Sequence, residues 1–332
     1  MLIPYKEKTH GTFDDEWLRH RGVNDWWYVT GYLRDAGRPE NLYSYQFTLI
    51  NPRHFRKAVY VLHLAFTDIQ TGKHFFQRNV RLTGKKTTVD QETIAVLPLC
   101  RLKKNSGDMI LTARTGELAL DLVLNLGKGA FWHGDRGVMV MGLPDDPVQR
   151  TVYYSYTNMP TSGHIRFTDN TGQPKELTVT GKSWFDRQWG PFHLFNTASY
   201  WEWFSIRFFD DDEVMLFAFP QHPYHDGTFI EKDGKNRRLF NYQYSYHRLK
   251  QNGKTVFSHG WDINLPGIKD ENYRILPMNE EQYNGGYYEI MARVIKTDGT
   301  EVGYCFVELL PGVRQDGKKL NSINLIFSQL HG

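Results

Sequence analysis

The sequence is poor in cysteine and has neither a long apolar run nor an excess of one charge. Its two cysteines, Cys100 and Cys305, lie far apart and predict neither a disulfide framework nor a zinc site. No stretch approaches the length of a membrane span, and the N-terminus lacks the apolar run and cleavage site of a signal peptide. These absences predict a cytoplasmic protein without an integral membrane segment.

The charges are nearly balanced. The 332 residues include 40 basic and 37 acidic side chains, which give a formal net charge of +3 and are spread in small mixed groups. A nucleic-acid-binding protein typically concentrates its basic residues in one patch or stripe. The composition therefore predicts no nucleic-acid partner.

The motifs of several common enzyme classes are also missing. There is no Gly-x-Ser-x-Gly elbow, no phosphate-binding Gly-x4-Gly-Lys-Ser/Thr loop and no dinucleotide-binding Gly-x-Gly-x-x-Gly fingerprint. His222, His225 and Asp226 could bind a cation, but we favour a proline-containing turn with solvated histidines. The acidic run 210–213 is likewise interpreted as a solvated turn rather than a calcium loop. We therefore predict no metal and no cofactor.

Strand signals, in contrast, are abundant. Tyr43, Tyr45 and Phe47 alternate with polar residues, the period of two that a sheet with one buried face produces. Helical periodicity is visible only at 13–20. Many short strands at regular spacing predict an all-β sandwich or barrel. The predicted strands are 43–49, 59–66, 74–78, 108–113, 117–124, 138–142, 151–157, 163–168, 176–182, 201–208, 214–219, 242–246, 257–263, 286–296 and 301–309.

The chain is long enough for two domains. We predict a boundary near Gly190-Pro191, which gives domains 1–190 and 191–332. A tryptophan pattern opens each side, Trp26-Trp27 in the first half and Trp201-x-Trp203 in the second. No low-complexity linker separates the halves, so we expect them to pack closely.

The densest group of chemically distinctive residues is the segment Gly181–Gly190. If it is a strand, Trp184 and Asp186 project from the same face. A carboxyl group against aromatic rings loses hydration and becomes a usable general acid, and the rings stabilise a cation by about 0.5–2 kcal/mol per contact. Such a pair could convert an alkene to a carbocation. The alternative, in which Asp186 pairs with Arg187 or another arginine and fixes the strand end, stays open here.

Two further groups carry polar aromatic or acid–base side chains. Tyr154 and Tyr156 share a strand face and could orient a carbonyl or hydroxyl group, although tyrosines in a β-rich chain are often core or rim residues. Trp132, His133 and Asp135 offer a second His/Asp pair, for which a turn with one buried aromatic ring is the favoured interpretation.

Five segments resemble the carotenoid 1,2-hydratase (CrtC-type) and AttH-like lipocalin-related family. They occur in the family's order and span nearly the whole chain; the segment at 181–190 is the most specific. The resemblance implies two calycin-type, lipocalin-like β-barrel domains packed together, with a ligand cavity between or within them. It also implies an apolar substrate, an isoprenoid for the hydratases or a polyene-polyketide for relatives that act as Diels–Alderases or cyclases. The segments are 26–31, 153–158, 181–190, 201–205 followed by Glu213-x-Met215, and 303–308.

The resemblance places Asp186 and Trp184 on the positions of the acid and of the ring that faces the cation. The hydratase branch tends to have His or Asn close after the aspartate, where this chain continues with Arg187. Tyr154 and Tyr156 lie where that branch has His and Trp. These departures argue against carotenoid hydration itself.

The main hypothesis is an enzyme of secondary metabolism that acts on an apolar, unsaturated small molecule in an aromatic-lined pocket. The reaction would be acid-assisted hydration, dehydration or cyclisation, including Diels–Alder cyclisation. A carrier that binds a lipid-like ligand unchanged is the alternative, and a scaffold with an exposed aromatic patch is a third. The predicted catalytic residues are Asp186, Trp184 and Tyr154, and the predicted substrate-binding residues are Tyr156, Trp189, Trp132, His133, Trp201 and Trp203.

Overall fold

The computed structural model describes residues 3–4, 10–53, 59–82, 86–193, 201–220, 222, 224–253 and 255–310. These residues form an all-β fold, as predicted, with one nearly closed barrel-like sheet and one half-barrel sheet that match two lipocalin-like barrel domains. The chain divides into two compact units, residues 1–132 with 152–191 and residues 133–151 with 192–332. The domain bounds 1–190 and 191–332 stay a prediction.

The strands vary from two to nineteen residues in length. Their bounds in the described part of the chain are β1 Ile3–Pro4, β2 His20–Arg21, β3 Asn24–Asp35, β4 Leu42–Asn51, β5 Val59–Asp68, β6 His74–Leu82, β7 Thr87–Val89, β8 Thr93–Val96, β9 Cys100–Lys104, β10 Asp108–Arg114, β11 Leu118–Asn125, β12 Ala130–Trp132, β13 Val138–Val140, β14 Arg150–Thr168, β15 Pro174–Gly190, β16 Glu202–Phe208, β17 Glu213–Ala218, β18 His225–Ile230, β19 Asn236–Leu239, β20 Gln243–Asn252, β21 Thr255–Asn264, β22 Asn272–Pro277, β23 Tyr288–Lys296 and β24 Glu301–Leu309.

The first large sheet has 13 strands. Neighbouring strands follow the order β6-β5-β4-β3-β15-β14-β11-β10-β9-β8-β7, and β12 and β13 also pair with β14. Tyr43, Tyr45 and Phe47 of β4 point into a hydrophobic core that also contains Trp27 and Leu64. The alternation along β4 therefore marks a strand with one face on the core, as the sequence predicts.

The two strands at the centre of this sheet are longer than predicted. The sequence predicts two separate strands, 151–157 and 163–168, with turn residues between them. In the structure β14 continues through it, with a bulge between Tyr156 and Met159. A side-chain carbon at Gly163 would lie 1.9 Å from the carbonyl oxygen of Asp121, so this glycine permits a close approach of two strands.

The second large sheet has nine strands in the order β19-β18-β17-β16-β24-β23-β22-β21-β20. Phe204, Ile206, Val214 and Leu216 lie in its hydrophobic core together with Trp261. The acidic run lies at a turn, as predicted, since β16 and β17 pair antiparallel on either side of it.

The helical periodicity at 13–20 does not correspond to an α-helix. Only Asp15–Trp17 forms a 3₁₀ turn, and the chain is extended again at Leu18. Trp17 is buried and donates from Nε1 to the carbonyl oxygen of Asp90 at 3.0 Å. The spacing of apolar residues at 13–20 therefore reflects a turn that packs into the core. No helix in the described part of the chain has the length and apolar character that crossing a membrane requires.

Candidate functional site

Strands β14, β15 and β3 lie side by side in the first sheet, and alternate residues point to its two faces. Phe185 and Tyr154 belong to the hydrophobic core, which defines the inner face. Trp184 and Asp186 flank Phe185 in sequence and therefore project from the outer face. Ser155 lies directly opposite Asp186 and shares that outer face.

Asp186 is a buried acid, only 5% exposed. Its Oδ1 accepts a hydrogen bond from Trp184 Nε1 at 2.6 Å and another from the hydroxyl of Ser155. Arg187 points to the inner face, where its guanidinium forms an ion pair with Asp25. The pairing of Asp186 with Arg187 is therefore wrong, because neighbours in a strand point to opposite faces, and pairing with another arginine stays a prediction. The Trp184 indole and the Ser155 hydroxyl are both uncharged donors.

A row of buried polar side chains continues from Asp186 across the outer face. Tyr28 on β3 is its cross-strand partner, Thr48 on β4 follows, and His63 on β5 comes next. Burial, together with the nearby Arg78 guanidinium, lowers the pKa of His63 to about 3, so its imidazole is neutral. Arg78 Nε donates to His63 Nε2 at 3.2 Å, which puts the ring proton on Nδ1.

Tyr154 and Tyr156 share a face, but it is the inner face. Their ring centroids lie 6.3 Å apart, and Trp132 packs edge-on against Tyr154 at 5.3 Å. The Tyr154 hydroxyl donates to a backbone carbonyl at 3.2 Å, and burial raises the pKa of Tyr154 well above its ordinary value. The structure thus brings these three rings together and separates them from Asp186 and Trp184. The predicted constellation splits into two groups on opposite faces of the sheet.

Trp189 also lies on the inner face, in a network around Arg187. It stacks on the ring of His20 at a centroid distance of 3.8 Å, and His20 Nδ1 lies 3.1 Å from Arg187 Nη2. The Arg187 guanidinium lies 4.2 Å from the centroid of Trp27 and donates to Asp25. Trp189 therefore packs against a buried ion pair rather than beside Asp186.

Trp201 and Trp203 lie in the second unit, at the beginning of β16. Because Phe204 points into the core, Trp203 projects from the outer face of the second sheet, opposite Glu308 on β24. Trp201 Nε1 donates to Glu308 Oε1 at 2.7 Å. Burial raises the pKa of Glu308 to about 7, and its carboxyl group is hydrogen-bonded to that of Glu289, its partner on β23. The sequence reasoning did not select either glutamate.

His133 is fully buried in the second unit. Its Nδ1 lies 2.9 Å from the hydroxyl of Thr228, and burial lowers the pKa of His133 to about 3, which keeps the ring neutral. Asp135 is exposed and lies 3.5 Å from Arg136. The His/Asp pair considered from the sequence is therefore not formed.

Glu202, between the two tryptophans, is a second acid that the sequence reasoning passed over. It faces the inner side of the second sheet, where its carboxyl group accepts hydrogen bonds from Trp261 Nε1 at 3.0 Å and from the hydroxyl of Ser258. Burial raises the pKa of Glu202 to about 7, and these two hydrogen bonds limit the rise. Its position two residues before Phe204, on the face that holds the core, was the available signal.

Within the residues that the structure describes, no group of three or more His, Cys, Asp or Glu side chains is arranged to hold a metal ion. Asp226 instead accepts two hydrogen bonds from Arg238, at 2.5 and 2.9 Å. In the acidic run, Asp210 and Asp212 lie 2.5 and 2.9 Å from Lys269. The basic side chains of Arg238 and Lys269 thus neutralise these carboxylates.

The fold and the geometry define a lipocalin-like protein of two barrel domains with a buried acid on the outer face of its first sheet. Residues 4–312 match the AttH-like family, and the chain belongs to that family. This confirms the resemblance stated from the sequence.

Two solved structures are similar to this chain. A crystal structure described as an AttH protein from Nitrosomonas europaea is 19% identical, with a TM-score of 0.78 over 92% of this chain and 98% of that chain. Kievitone hydratase from Nectria haematococca is 15% identical, with a TM-score of 0.69 over 86% of this chain and 89% of that chain. Comparison with curated proteins gives no match.

Proposed function

We propose that this protein is an enzyme that adds water to, removes water from, or cyclises an apolar unsaturated small molecule, with Asp186 as the proton donor. Membership of the AttH-like family and the similarity of its fold to that of kievitone hydratase support a hydratase-type reaction. The observation that carries the proposal is the Asp186 carboxyl group, which is buried and held by the uncharged donors Trp184 and Ser155.

The chemistry follows from this environment. A carboxylic acid shielded from water can transfer its proton to an alkene carbon, and the alkene's π electrons form the new C–H bond. The cation that results is stabilised by an aromatic face, and Trp184 lies beside the acid. Water then adds to the cationic carbon and gives a proton to the Asp186 carboxylate, which restores the acid. The hydroxyl groups of Tyr28 and Thr48, next in the row, are of the type that orients such a water.

The experiment compares Asp186→Asn with Asp121→Asn, a surface aspartate of the same unit that pairs with Arg114. Each protein is incubated with kievitone or squalene in ¹⁸O-labelled water, and the product is analysed by mass spectrometry. We expect the wild type and the control to incorporate ¹⁸O. In Asp186→Asn we expect turnover to fall by about 100-fold or more, the usual worth of a general acid, while the probe still binds.

Other outcomes have definite meanings. Unchanged turnover in Asp186→Asn removes the acid role and favours a protein that only folds its substrate into a reactive conformer. Native mass spectrometry of the purified protein tests the carrier alternative. A tightly retained and chemically unchanged lipid, without turnover of either probe, would favour the carrier.

A further inference from the structure

The Ser205 hydroxyl is buried in a way that the fold alone does not explain. Ser205 lies in β16 and is fully buried, and its Oγ has no hydrogen-bond partner within the described part of the chain. A buried hydroxyl without a partner costs about 1–3 kcal/mol, and such groups are rare in native proteins. A ligand that hydrogen-bonds to Oγ would remove that cost.

The residues directly opposite Ser205 on the two neighbouring strands are apolar. Its cross-strand neighbours on the outer face of the second sheet are Phe306 on β24 and Met215 on β17. Trp203, two residues earlier on the same face, lies opposite Phe217. All of these side chains are buried. Aromatic rings and methionine thioethers form the kind of adaptable apolar wall against which a hydrophobic ligand packs.

Two carboxyl groups lie one row away on the same face. Glu308 follows Phe306 by two residues, so it is a diagonal neighbour of Ser205, at a spacing of roughly 7 Å. Its cross-strand partner Glu289 is hydrogen-bonded to it. A hydrogen bond between two carboxyl groups requires a proton on one of them, and the remaining carboxyl oxygens of the pair can accept further hydrogen bonds.

We propose that Ser205 and the Glu289–Glu308 pair form the polar end of a ligand site on the outer face of the second sheet, and that the ligand is an apolar alcohol or phenol. A ligand hydroxyl can donate to a carboxyl oxygen of the pair and accept from Ser205 Oγ, so it satisfies both partners. A pure hydrocarbon would leave Ser205 unsatisfied. The assignment goes beyond the proposed function, because it concerns a second site that lies in the other unit.

The test is a binding experiment with three probes of matched length: farnesol, the hydrocarbon farnesene and the amine farnesylamine. Isothermal titration calorimetry measures each affinity for the wild type, Ser205→Ala, Glu308→Gln and Ser258→Ala. Ser258 is the matched control, a buried serine of the same unit whose hydroxyl already donates to Glu202. Urea unfolding of the same proteins measures their stability.

We expect the wild type to bind farnesol more tightly than farnesene. Ser205→Ala should weaken farnesol binding roughly three- to tenfold, the worth of one hydrogen bond, and leave farnesene binding unchanged. The free protein should become no less stable, because the alanine removes an unsatisfied group. Glu308→Gln should also weaken farnesol binding. Ser258→Ala should lose stability and keep the preference for farnesol.

Three results would overturn the assignment: equal affinity for farnesol and farnesene in the wild type, undiminished farnesol binding in Ser205→Ala, or tighter binding of farnesylamine than of farnesol. The last would indicate a cation site instead. Failure of the proposed function has a different signature. It would appear as missing or Asp186-independent turnover, while the farnesol preference would still depend on Ser205.

Discussion

Asp186 and Glu202 are two buried acids held by the same kind of donors in two regions of the molecule. Each carboxyl group accepts one hydrogen bond from a tryptophan indole and one from a serine hydroxyl. Asp186 lies on the outer face of the first sheet, whereas Glu202 faces the aromatic core of the second. The comparison teaches that the first contacts of an acid do not define its role. The residues beyond these first contacts distinguish the two acids. A row of polar side chains extends from Asp186, whereas packed aromatic rings surround Glu202.

A third acid, Asp25, sharpens this comparison because a charge holds it. Replacing Arg187 by methionine leaves the Asp25 carboxylate buried without its ion-pair partner. We expect the free energy of unfolding to fall by about 3–5 kcal/mol, the largest effect on stability predicted here. Urea unfolding measures it, and the double variant that also carries Asp25→Asn should recover part of the loss. A loss below about 1 kcal/mol would mean that the pair does not stabilise the barrel.

Glu202 should make stability depend on pH. Its pKa in the folded protein is about 7, above the ordinary value of 4.5, so the folded state binds more protons between these values. The stabilisation is therefore complete below about pH 4.5 and is lost as the pH rises through 7. Glu202→Gln does not titrate, so the stability of the wild type relative to this variant should fall by about 3 kcal/mol between about pH 5 and pH 8. A pH-independent difference in urea unfolding would contradict this account.

Asp186→Asn should have a smaller effect on stability. Asparagine keeps an oxygen that accepts the hydrogen bonds from Trp184 and Ser155, so we expect a loss of about 1 kcal/mol in urea unfolding. Because Arg187 faces the other side of the sheet, its ion pair should persist. If the free energy of unfolding fell by as much as in the Arg187 variant, Asp186 would have a structural role instead.

Tyr154→Phe should have the smallest effect. It removes one hydrogen bond of 3.2 Å to a backbone carbonyl and keeps the ring in the core, so we expect a loss of about 1 kcal/mol or less. Turnover should not change, because Tyr154 lies on the face opposite to Asp186. Steady-state kinetics on a converted probe checks this. A strong decrease in turnover would return Tyr154 to the catalytic group in which the sequence placed it.

The sequence predicts the fold well because strand alternation is a local signal. Tyr43, Tyr45 and Phe47 identify a strand and its buried face without any knowledge of its partners. The spacing of Trp184 and Asp186 predicts their shared face for the same reason. The continuation of β14 past residue 157 could not be predicted, because a bulge absorbs residues that elsewhere form a turn.

Which residues come together in a site depends on the register between strands that are distant in sequence. The row beside Asp186 consists of Tyr28, Thr48 and His63, and it forms only because β3, β4 and β5 pair in one particular register. No local sequence pattern specifies that register. Grouping Tyr154 with Asp186 failed because the sequence does not reveal that the two strands turn these residues to opposite faces. The raised pKa of Glu202 arises from burial among residues far away in the chain.

The most direct test of the central claim is the turnover of Asp186→Asn beside that of Glu202→Gln, measured on the same probe at one pH. Both variants remove a buried acid with the same kinds of hydrogen-bond donors. The account predicts that only Asp186→Asn loses turnover, by about 100-fold or more. Normal turnover in Asp186→Asn, or its loss in Glu202→Gln alone, would contradict it.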